Sequence, residues 1–299
     1  MLCLITGSNG LLGQKIFQEL TNHDYTVVLT SLGENKISNL KGYNYESLDI
    51  SDEGKVSEVL KKYEPDVVFN TAAVTNVDLC EEEKSLCKNV NSNSVKYLAN
   101  TCLEIGAHLI HISTDFIFDG EKEIYDEKDE PNPLSYYGVS KLDSEKILLN
   151  HSCKWSIIRT IVLFGVAENL EKNNILIWAK GKLEKGEKIR IIDDEYRSPT
   201  LAEDLAKACV KTAEKKVYGV MHISGDEMMS IFEMVERLAK FYKFDVSLIE
   251  RINSKQLNQK AKRPPKTCFD LTKAKKKINY SPKSFEESLK IIETQLLKK

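Results

Sequence analysis

The segment Leu2-Cys3-Leu4-Ile5-Thr6-Gly7-Ser8-Asn9-Gly10-Leu11-Leu12-Gly13 decides the fold. It begins with a short apolar run, and the residues that follow its last glycine have the apolar spacing of a helix. The order strand, glycine turn, helix is typical of a dinucleotide-binding unit, because glycines let the backbone turn tightly and approach a pyrophosphate. The first N–H groups of such a helix are free to bind phosphate. We therefore predict a cofactor site formed by Gly7, Asn9, Gly10, Leu11, Leu12 and Gly13.

Strand and helix patterns continue to alternate along the chain. Apolar runs at 25–29, 65–70, 107–112 and 155–163 predict further strands, and the segments between them have helical spacing. This alternation predicts an α/β fold: a Rossmann-type, doubly wound parallel sheet with a smaller interleaved α+β substrate-binding lobe. We assign residues 1–165 and a return segment at about 201–226 to the cofactor domain. Residues 166–200 and 227–299 are assigned to the substrate-binding lobe.

The second strand ends where the adenosine ribose of a cofactor is expected. An acidic residue there would favour NAD, whereas this chain has Thr30 and Ser31 followed by Lys36. We therefore predict NADPH as the cofactor, with Ser31 in contact, and keep NADH as an alternative. Asp49 and Ile50, at the predicted end of the third strand, are assigned to the adenine. Helix capping together with Ser51 is an equally weighted alternative for the Asp49 carboxylate.

Polar residues follow the predicted strands at the edge of the sheet where ligands bind. Thr71, Ala72 and Ala73 are small enough for close approach of a cofactor, and Thr114 follows the fifth strand. Tyr137 and Lys141 are spaced four apart at the start of a predicted helix, so both side chains lie on one face. A nearby ammonium favours the phenolate, and the pair is therefore suited to proton transfer near neutral pH. His108 and His111 are interpreted as structural strand residues.

The composition excludes several classes of function. The 299 residues have a formal net charge of -2, which gives no electrostatic reason to expect nucleic acid or a membrane surface as a partner. Seven scattered cysteines favour reduced thiols, and no ligand spacing predicts a metal site. The start of the chain leaves no room for a signal peptide, so we expect a cytoplasmic protein. A homodimer is the assembly that we consider.

These motifs resemble those of the extended short-chain dehydrogenases/reductases. Within that superfamily the chain is most similar to the dTDP-4-dehydrorhamnose reductase family. The more specific similarity lies in the segment 113–120, in Arg159-Thr160 with Phe164-Gly165, in 194–200, and in Arg263-Pro264 followed by Asp270. Together these segments span nearly the whole chain.

The resemblance implies an NADPH-dependent reductase of a nucleotide-linked 4-keto-6-deoxy sugar. Thr114, Tyr137 and Lys141 would be the catalytic triad, with Tyr137 protonating the C4 oxygen as hydride arrives. Tyr137 and Lys141 would also contact the cofactor. The substrate-binding residues implied are Thr75, Asp115, Phe116, Asn174, Arg197 and Arg263.

Two other interpretations remain open. The same chemistry could act on another nucleotide sugar, although dehydration is disfavoured because Phe116 stands where the related dehydratases have a glutamate. Alternatively, the chain could bind NADP(H) without turnover, as in the methionine adenosyltransferase β subunit, which resembles the same reductases.

Overall fold

The structure is a computed structural model, and it describes residues 1–170, 174–257 and 259–297. Seven parallel strands form the central sheet in the order β3-β2-β1-β4-β5-β6-β11. This arrangement confirms the predicted Rossmann-type α/β fold. The strands of the sheet are β1 Leu2–Thr6, β2 Thr26–Ser31, β3 Asn44–Ser47, β4 Val67–Asn70, β5 His108–Thr114, β6 Lys154–Thr160 and β11 Gly219–His222.

Helices cover both faces of this sheet and bury its apolar side chains in two layers. One layer contains Ile16 and Leu205, and the other contains Leu60 and Leu98, all buried. The helices that precede or follow these strands are α1 Leu11–Thr21, α2 Glu53–Tyr63, α3 Val77–Glu82, α4 Lys84–Lys88, α5 Ser94–Ile105, α6 Tyr136–Leu149 and α8 Ala202–Glu214. A π-helical turn, Asn89–Asn93, joins α4 to α5.

A second apolar core lies among the remaining elements. It packs Leu176, Val235 and Leu289 from three helices against short strands. Those helices are α7 Ile175–Leu183, α9 Ile231–Tyr242 and α11 Phe285–Leu296, and α10 Thr272–Ile278 precedes the last of them. The short strands are β7 Leu163–Phe164, β8 Ile189–Ile192, β9 Tyr196–Arg197, β10 Thr200–Leu201, β12 Met229–Ser230, β13 Ile249–Ile252 and β14 Lys266–Thr267. The lobe boundaries predicted from the sequence remain a proposal.

The predicted end of the third strand is wrong. The strand β3 stops at Ser47, and residues 48–50 lie beyond it. The chain turns here because the Asp49 carboxylate accepts hydrogen bonds from the Ser51 amide (2.9 Å) and hydroxyl (2.7 Å). The helix α2 is capped one residue further on, where Asp52 accepts from the Lys55 amide. Among the described residues, no helix combines the length and apolar character needed to cross a membrane.

Candidate active site

The helix α6 places the predicted catalytic pair. Ser135 caps it, and its hydroxyl accepts a hydrogen bond from the Gly138 amide at 3.2 Å. Only glycine fits at position 138, because a Cβ atom there would lie 2.2 Å from the carbonyl oxygen of Phe116. The first turn of α6 therefore packs directly against the short 3₁₀ turn at Asp115–Ile117. This close approach brings Tyr137 next to Thr114 at the end of β5.

Tyr137 is buried beside Thr114 and Phe116. The Thr114 side chain is its neighbour, and the Thr114 hydroxyl donates to Oδ1 of Asp115 at 3.1 Å. The Phe116 ring meets the tyrosine ring edge to face, with centroids 5.7 Å apart. Burial raises the pKa of Tyr137, and this effect outweighs the opposing effect of the Thr114 hydroxyl; Asp115, Cys80 and Cys87 add smaller effects in the same direction as burial. Tyr137 is consequently protonated at neutral pH, which is the state that a general acid requires.

Lys141 lies one turn further along α6 and is 2% exposed. Its amine Nζ is 3.1 Å from Nε2 of His111 on β5. Burial lowers the pKa of Lys141 to about 8, against the opposing effects of Glu145 and Cys87. The prediction that this lysine holds the pKa of Tyr137 down is wrong for this structure. Burial dominates the pKa of both groups, and the amine is bound to His111 instead.

The glycine loop joins β1 to α1. Gly7 has φ +66°, and a Cβ atom there would lie 2.8 Å from the backbone of Ala72. Gly13 is equally confined, because its Cβ would lie 2.5 Å from the Gly7 carbonyl oxygen. Gly10 differs: it is exposed, it precedes α1 without a side-chain cap, and its Cβ would meet only that carbonyl oxygen at 3.2 Å. Two glycines therefore shape the loop, and Gly10 leaves open the approach to the first N–H groups of α1.

Asn9 organises the neighbouring loop that follows β2. Its side-chain amide donates to the Glu34 carbonyl at 2.8 Å, and its oxygen accepts from the Lys36 amide at 2.9 Å. Ser31 is half-buried at the start of this loop, where the ribose is expected. Leu11 is half-buried, Leu12 and Ile50 are buried, and Asp49 is exposed. Their contacts with a cofactor remain predictions.

The residues after β4 lie beside the glycine loop. The Thr71 hydroxyl donates to the carbonyl of Thr6, the last residue of β1, at 2.6 Å. Thr71, Ala72 and Ala73 are each half-buried. The predicted cofactor residues from β1, β4 and α6 thus lie at the carboxyl edge of the sheet, where parallel folds bind ligands.

Arg197 is buried, and its guanidinium binds groups of the protein itself. Its Nε lies 3.4 Å from the carboxylate of Asp115, Nη1 donates to the Tyr196 carbonyl at 2.8 Å, and Nη2 donates to the Pro264 carbonyl at 2.6 Å. Asp115 also accepts from the Thr267 hydroxyl at 2.5 Å. Both side chains are 2% exposed. Arg197 therefore positions Asp115 and the loop that precedes β14, and its predicted contact with substrate gains no support.

The other predicted substrate residues also have partners or positions within the protein. Arg263 is bound to the carboxylate of Asp78 at 2.9 Å. Asn174 caps α7, accepting from the Ile177 amide and donating to the Gly165 carbonyl at 2.7 Å. Thr75 is exposed, and Phe116 is half-buried against Tyr137. These assignments also stay predictions.

Sequence analysis missed two sets of buried polar residues around α6. His111 contacts Lys141, although it was interpreted as a structural residue. The Glu145 carboxylate, fully buried one turn beyond Lys141, binds Arg159 at 2.7 Å and the Ser113 hydroxyl at 2.5 Å. Polar residues inside otherwise apolar strands were the available signal, since such groups need partners when buried.

The sheet, the glycine loop and the buried group of Thr114, Tyr137 and Lys141 define an extended short-chain dehydrogenase/reductase. The chain belongs to the family described as "RmlD substrate binding domain", whose profile matches residues 1–297. The predicted similarity to dTDP-4-dehydrorhamnose reductases is confirmed by sequence. The chain is 31% identical over 301 residues to the enzyme of that name from Aggregatibacter actinomycetemcomitans, covering 97% of each chain.

Two further relatives have a bearing on function. The crystal structure of dTDP-4-dehydrorhamnose reductase from Bacillus anthracis in complex with NADP has a TM-score of 0.85 and 26% identity, with 98% of this chain and 99% of that chain covered. Methionine adenosyltransferase 2 subunit beta from Danio rerio is 30% identical over 266 residues, which cover 87% of this chain and 80% of that protein.

Proposed function

We propose that this protein is an NADPH-dependent reductase of a nucleotide-linked 4-keto-6-deoxy sugar, of the dTDP-4-dehydrorhamnose type. The observation that carries the proposal is a buried, protonated tyrosine beside Thr114 at the carboxyl edge of the parallel sheet, where such folds bind ligands. The relatives named dTDP-4-dehydrorhamnose reductase support the choice of substrate. NADPH is favoured over NADH because a relative binds NADP and because no carboxylate follows β2 directly.

The residues present fit a dinucleotide. Gly10 leaves space for a phosphate that a side chain would fill, and α1 begins there without a side-chain cap. The bound cofactor would supply a hydride to C4 of the sugar. Tyr137 donates its hydroxyl proton to the C4 oxygen, so that the ketone becomes an alcohol, and Thr114 hydrogen-bonds the same oxygen. Donors fixed in advance around a developing alkoxide stabilise the transition state.

The test is NADPH oxidation with enzymatically generated dTDP-4-dehydrorhamnose, with NADH in parallel. Tyr137→Phe should lower kcat by about 10²-fold or more while NADPH affinity stays within a few-fold. Tyr136→Phe is the matched control, because Tyr136 occupies the same helical turn and its ring lies under the Lys84 amine. A Tyr137→Phe variant with near-normal kcat would exclude Tyr137 as the acid.

A regulatory subunit is the second candidate function. The similarity to methionine adenosyltransferase 2 subunit beta favours it, and such a protein would bind NADP(H) without turnover. NADPH binding with no turnover on any 4-keto nucleotide sugar, together with co-purification of a partner enzyme, would select this candidate. We also propose that the protein works in the cytoplasm, where its seven free cysteines stay reduced, and as a homodimer, which light scattering would test.

A further inference from the structure

Two buried cysteines lie beside the proposed acid. Cys80 on α3 and Cys87 on α4 are both fully buried, and they form one apolar cluster with Tyr137. Their sulfur atoms are 2.8 Å apart. A disulfide bond is about 2.05 Å long, so the two sulfurs lie less than about 1 Å beyond bonding distance. The pair is therefore placed for oxidation to a disulfide at the edge of the active site.

A break between two helices brings these sulfurs together. Residues seven apart in one continuous helix are separated by about 10 Å along its axis, which is too far for a disulfide. Here α3 ends at Glu82 and α4 begins at Lys84, and Glu83 between them has non-helical backbone angles (φ −108°, ψ 57°). The chain changes direction at this residue, which allows Cys80 and Cys87 to meet.

Asn91, in the π-helical turn after α4, is a donor beside Cys87. Its side-chain amide is oriented by the backbone of Val74: the Val74 N–H donates to Oδ1 at 2.8 Å, and Nδ2 donates to the Val74 carbonyl at 3.0 Å. A backbone N–H can only donate and a carbonyl can only accept, so the amide has one orientation. Nδ2 also lies 3.2 Å from the sulfur of Cys87 and 3.1 Å from the Ser140 hydroxyl oxygen, so its second N–H is shared between them.

The surroundings favour a thiolate on Cys87. The Cys80 thiol hydrogen-bonds to the Cys87 sulfur, and this contact lowers the pKa of Cys87 more than burial raises it. Three further groups lower this pKa: Ser140, Asn91 and Lys141. The pKa of Cys80 is raised by the same contact and by burial. A thiolate is the nucleophilic form of cysteine, and a neighbouring thiol can convert its first oxidation product to a disulfide.

We propose that Cys80 and Cys87 are a redox-active pair, which hydrogen peroxide converts reversibly to a disulfide next to Tyr137. The Cys87 sulfur attacks one oxygen of the peroxide and the O–O bond breaks. The sulfur becomes a sulfenic acid, and the departing hydroxide takes up a proton and leaves as water. The Cys80 thiol then attacks that sulfur, forms the S–S bond and releases a second water. The two thiols lose two electrons in all, and the peroxide gains them.

Hydrogen peroxide is small, and few side chains separate the pair from solvent. Half-buried residues cover the cluster that contains the two cysteines: Val74, Val77, Phe116 and Tyr136. The helices α3 and α4 have only six and five residues, a length at which a helix has little stability of its own. Local opening of this segment admits the oxidant without unfolding the protein.

Oxidation also changes the charge next to Lys141. The titratable groups around this lysine are Glu145 on its own helix, His111 on β5 and Cys87 on α4. Burial lowers the pKa of Lys141 to about 8, whereas a Cys87 thiolate raises it. A disulfide carries no charge, so the pKa of Lys141 should fall further in the oxidised protein. The alkaline limb of kcat/KM that we assign to Lys141 should then move to lower pH. This consequence rests on the proposed reductase function, whereas the disulfide does not.

Peptide mapping of the wild-type protein tests the bond directly. The reduced full chain is treated with hydrogen peroxide, the remaining thiols are alkylated, and the protein is digested with trypsin without reduction. Cleavage after Lys84 separates the two cysteines, so the disulfide should link the peptide 63–84 to the peptide 85–88. Dithiothreitol should release both peptides. If the two peptides are recovered unlinked, the thiols are only hydrogen-bonded and the proposal is wrong.

Kinetics before and after peroxide treatment test the consequence for turnover. A move of the Lys141 limb by about one pH unit would lower kcat/KM at pH 8 by about five-fold, and dithiothreitol should restore it. Cys87→Ala lacks the attacking sulfur and should not show this reversible loss. Cys209→Ala is the matched control, because Cys209 is also fully buried, on α8, and this variant should respond as the wild type does.

Two kinetic outcomes would count against the proposal. The same reversible loss in Cys87→Ala would place the oxidised group elsewhere, and a disulfide that leaves the limb unmoved would refute its link to Lys141. Absence of turnover in the untreated wild type would count against the reductase function, whereas peptide mapping would still decide the disulfide.

Discussion

Replacing Lys141 by methionine should stabilise the protein near neutral pH. Lys141 is an almost fully buried cation whose pKa falls from 10.5 to about 8, chiefly through loss of hydration. One pKa unit corresponds to about 1.4 kcal/mol, so holding the charged lysine in the folded state costs about 3 kcal/mol. Methionine has a similar length and no charge to desolvate. The cost reflects a site arranged for chemistry at the expense of stability.

The sign of the pH dependence follows from proton binding in the two states. Below pH 8 the lysine is charged in both states, and the folded state carries the whole cost. Between pH 8 and 10.5 the unfolded chain binds more protons, so the stability of the wild type rises with pH. Above pH 10.5 the amine is neutral in both states and the cost vanishes. The stability advantage of Lys141→Met over wild type should therefore shrink by about 3 kcal/mol across this window.

Urea unfolding without cofactor, at a series of pH values from 7 to 10.5, measures this difference. The comparison removes contributions that are common to both proteins. Lys146→Met is the matched control, since Lys146 is exposed on the same helix and has no desolvated charge to lose. A difference between wild type and Lys141→Met that stays constant with pH would refute the assignment of Lys141 as a desolvated cation.

Three further predictions concern positions that the structure constrains tightly. Gly10→Val should keep the urea midpoint near that of wild type but weaken NADPH binding in a calorimetric titration, and unchanged NADPH affinity would contradict the phosphate assignment. Gly13→Ala is the comparison: its Cβ would lie 2.5 Å from a carbonyl oxygen, so this variant should lose about 1–3 kcal/mol of stability. Arg159→Met leaves the Glu145 carboxylate buried without its partner and should cost about 3–5 kcal/mol in urea unfolding, and a loss below about 1 kcal/mol would show that the pair is dispensable. Gly138→Ala forces α6 away from the 3₁₀ turn and should lower kcat by about 10²-fold, and a normal kcat in the folded variant would show that this contact does not set the geometry of the site.

The sequence was sufficient for the fold, and for the proximity of the three proposed catalytic residues, because the signals are local. A continuous apolar run, a glycine turn and a helical pattern follow one another within residues 2–20. Tyr137 and Lys141 lie on one turn of one helix, so their spacing alone implies a shared face. Thr114 could be placed because it follows a strand directly, and ligands bind at that edge of a parallel sheet.

The properties that depend on burial could not be predicted from spacing. The expected lowering of the Tyr137 pKa assumed an ammonium next to a hydrated phenol. In the structure both groups are buried, the amine contacts His111, and desolvation dominates both pKa values. Arg197 illustrates the same difficulty, since its guanidinium is buried against Asp115 and backbone carbonyls from a distant loop.

The hydrogen-bonded row of Thr6, Asn70 and His111 could not be predicted for a different reason, because it depends on how neighbouring strands are aligned. Thr6 and Asn70 end their strands, but His111 lies three residues before the end of β5, so equal distance from a strand end would not have aligned them. Only the pairing of Asn70 with His111 brings the three into one row. A polar residue in the middle of a buried strand nevertheless requires a partner, because leaving it unpaired costs about 1–3 kcal/mol. Three buried polar residues on neighbouring strands of a parallel sheet are therefore grounds for expecting a hydrogen-bonded row, and here the row reaches the helix α6, because Nε2 of His111 lies 3.1 Å from the Lys141 amine.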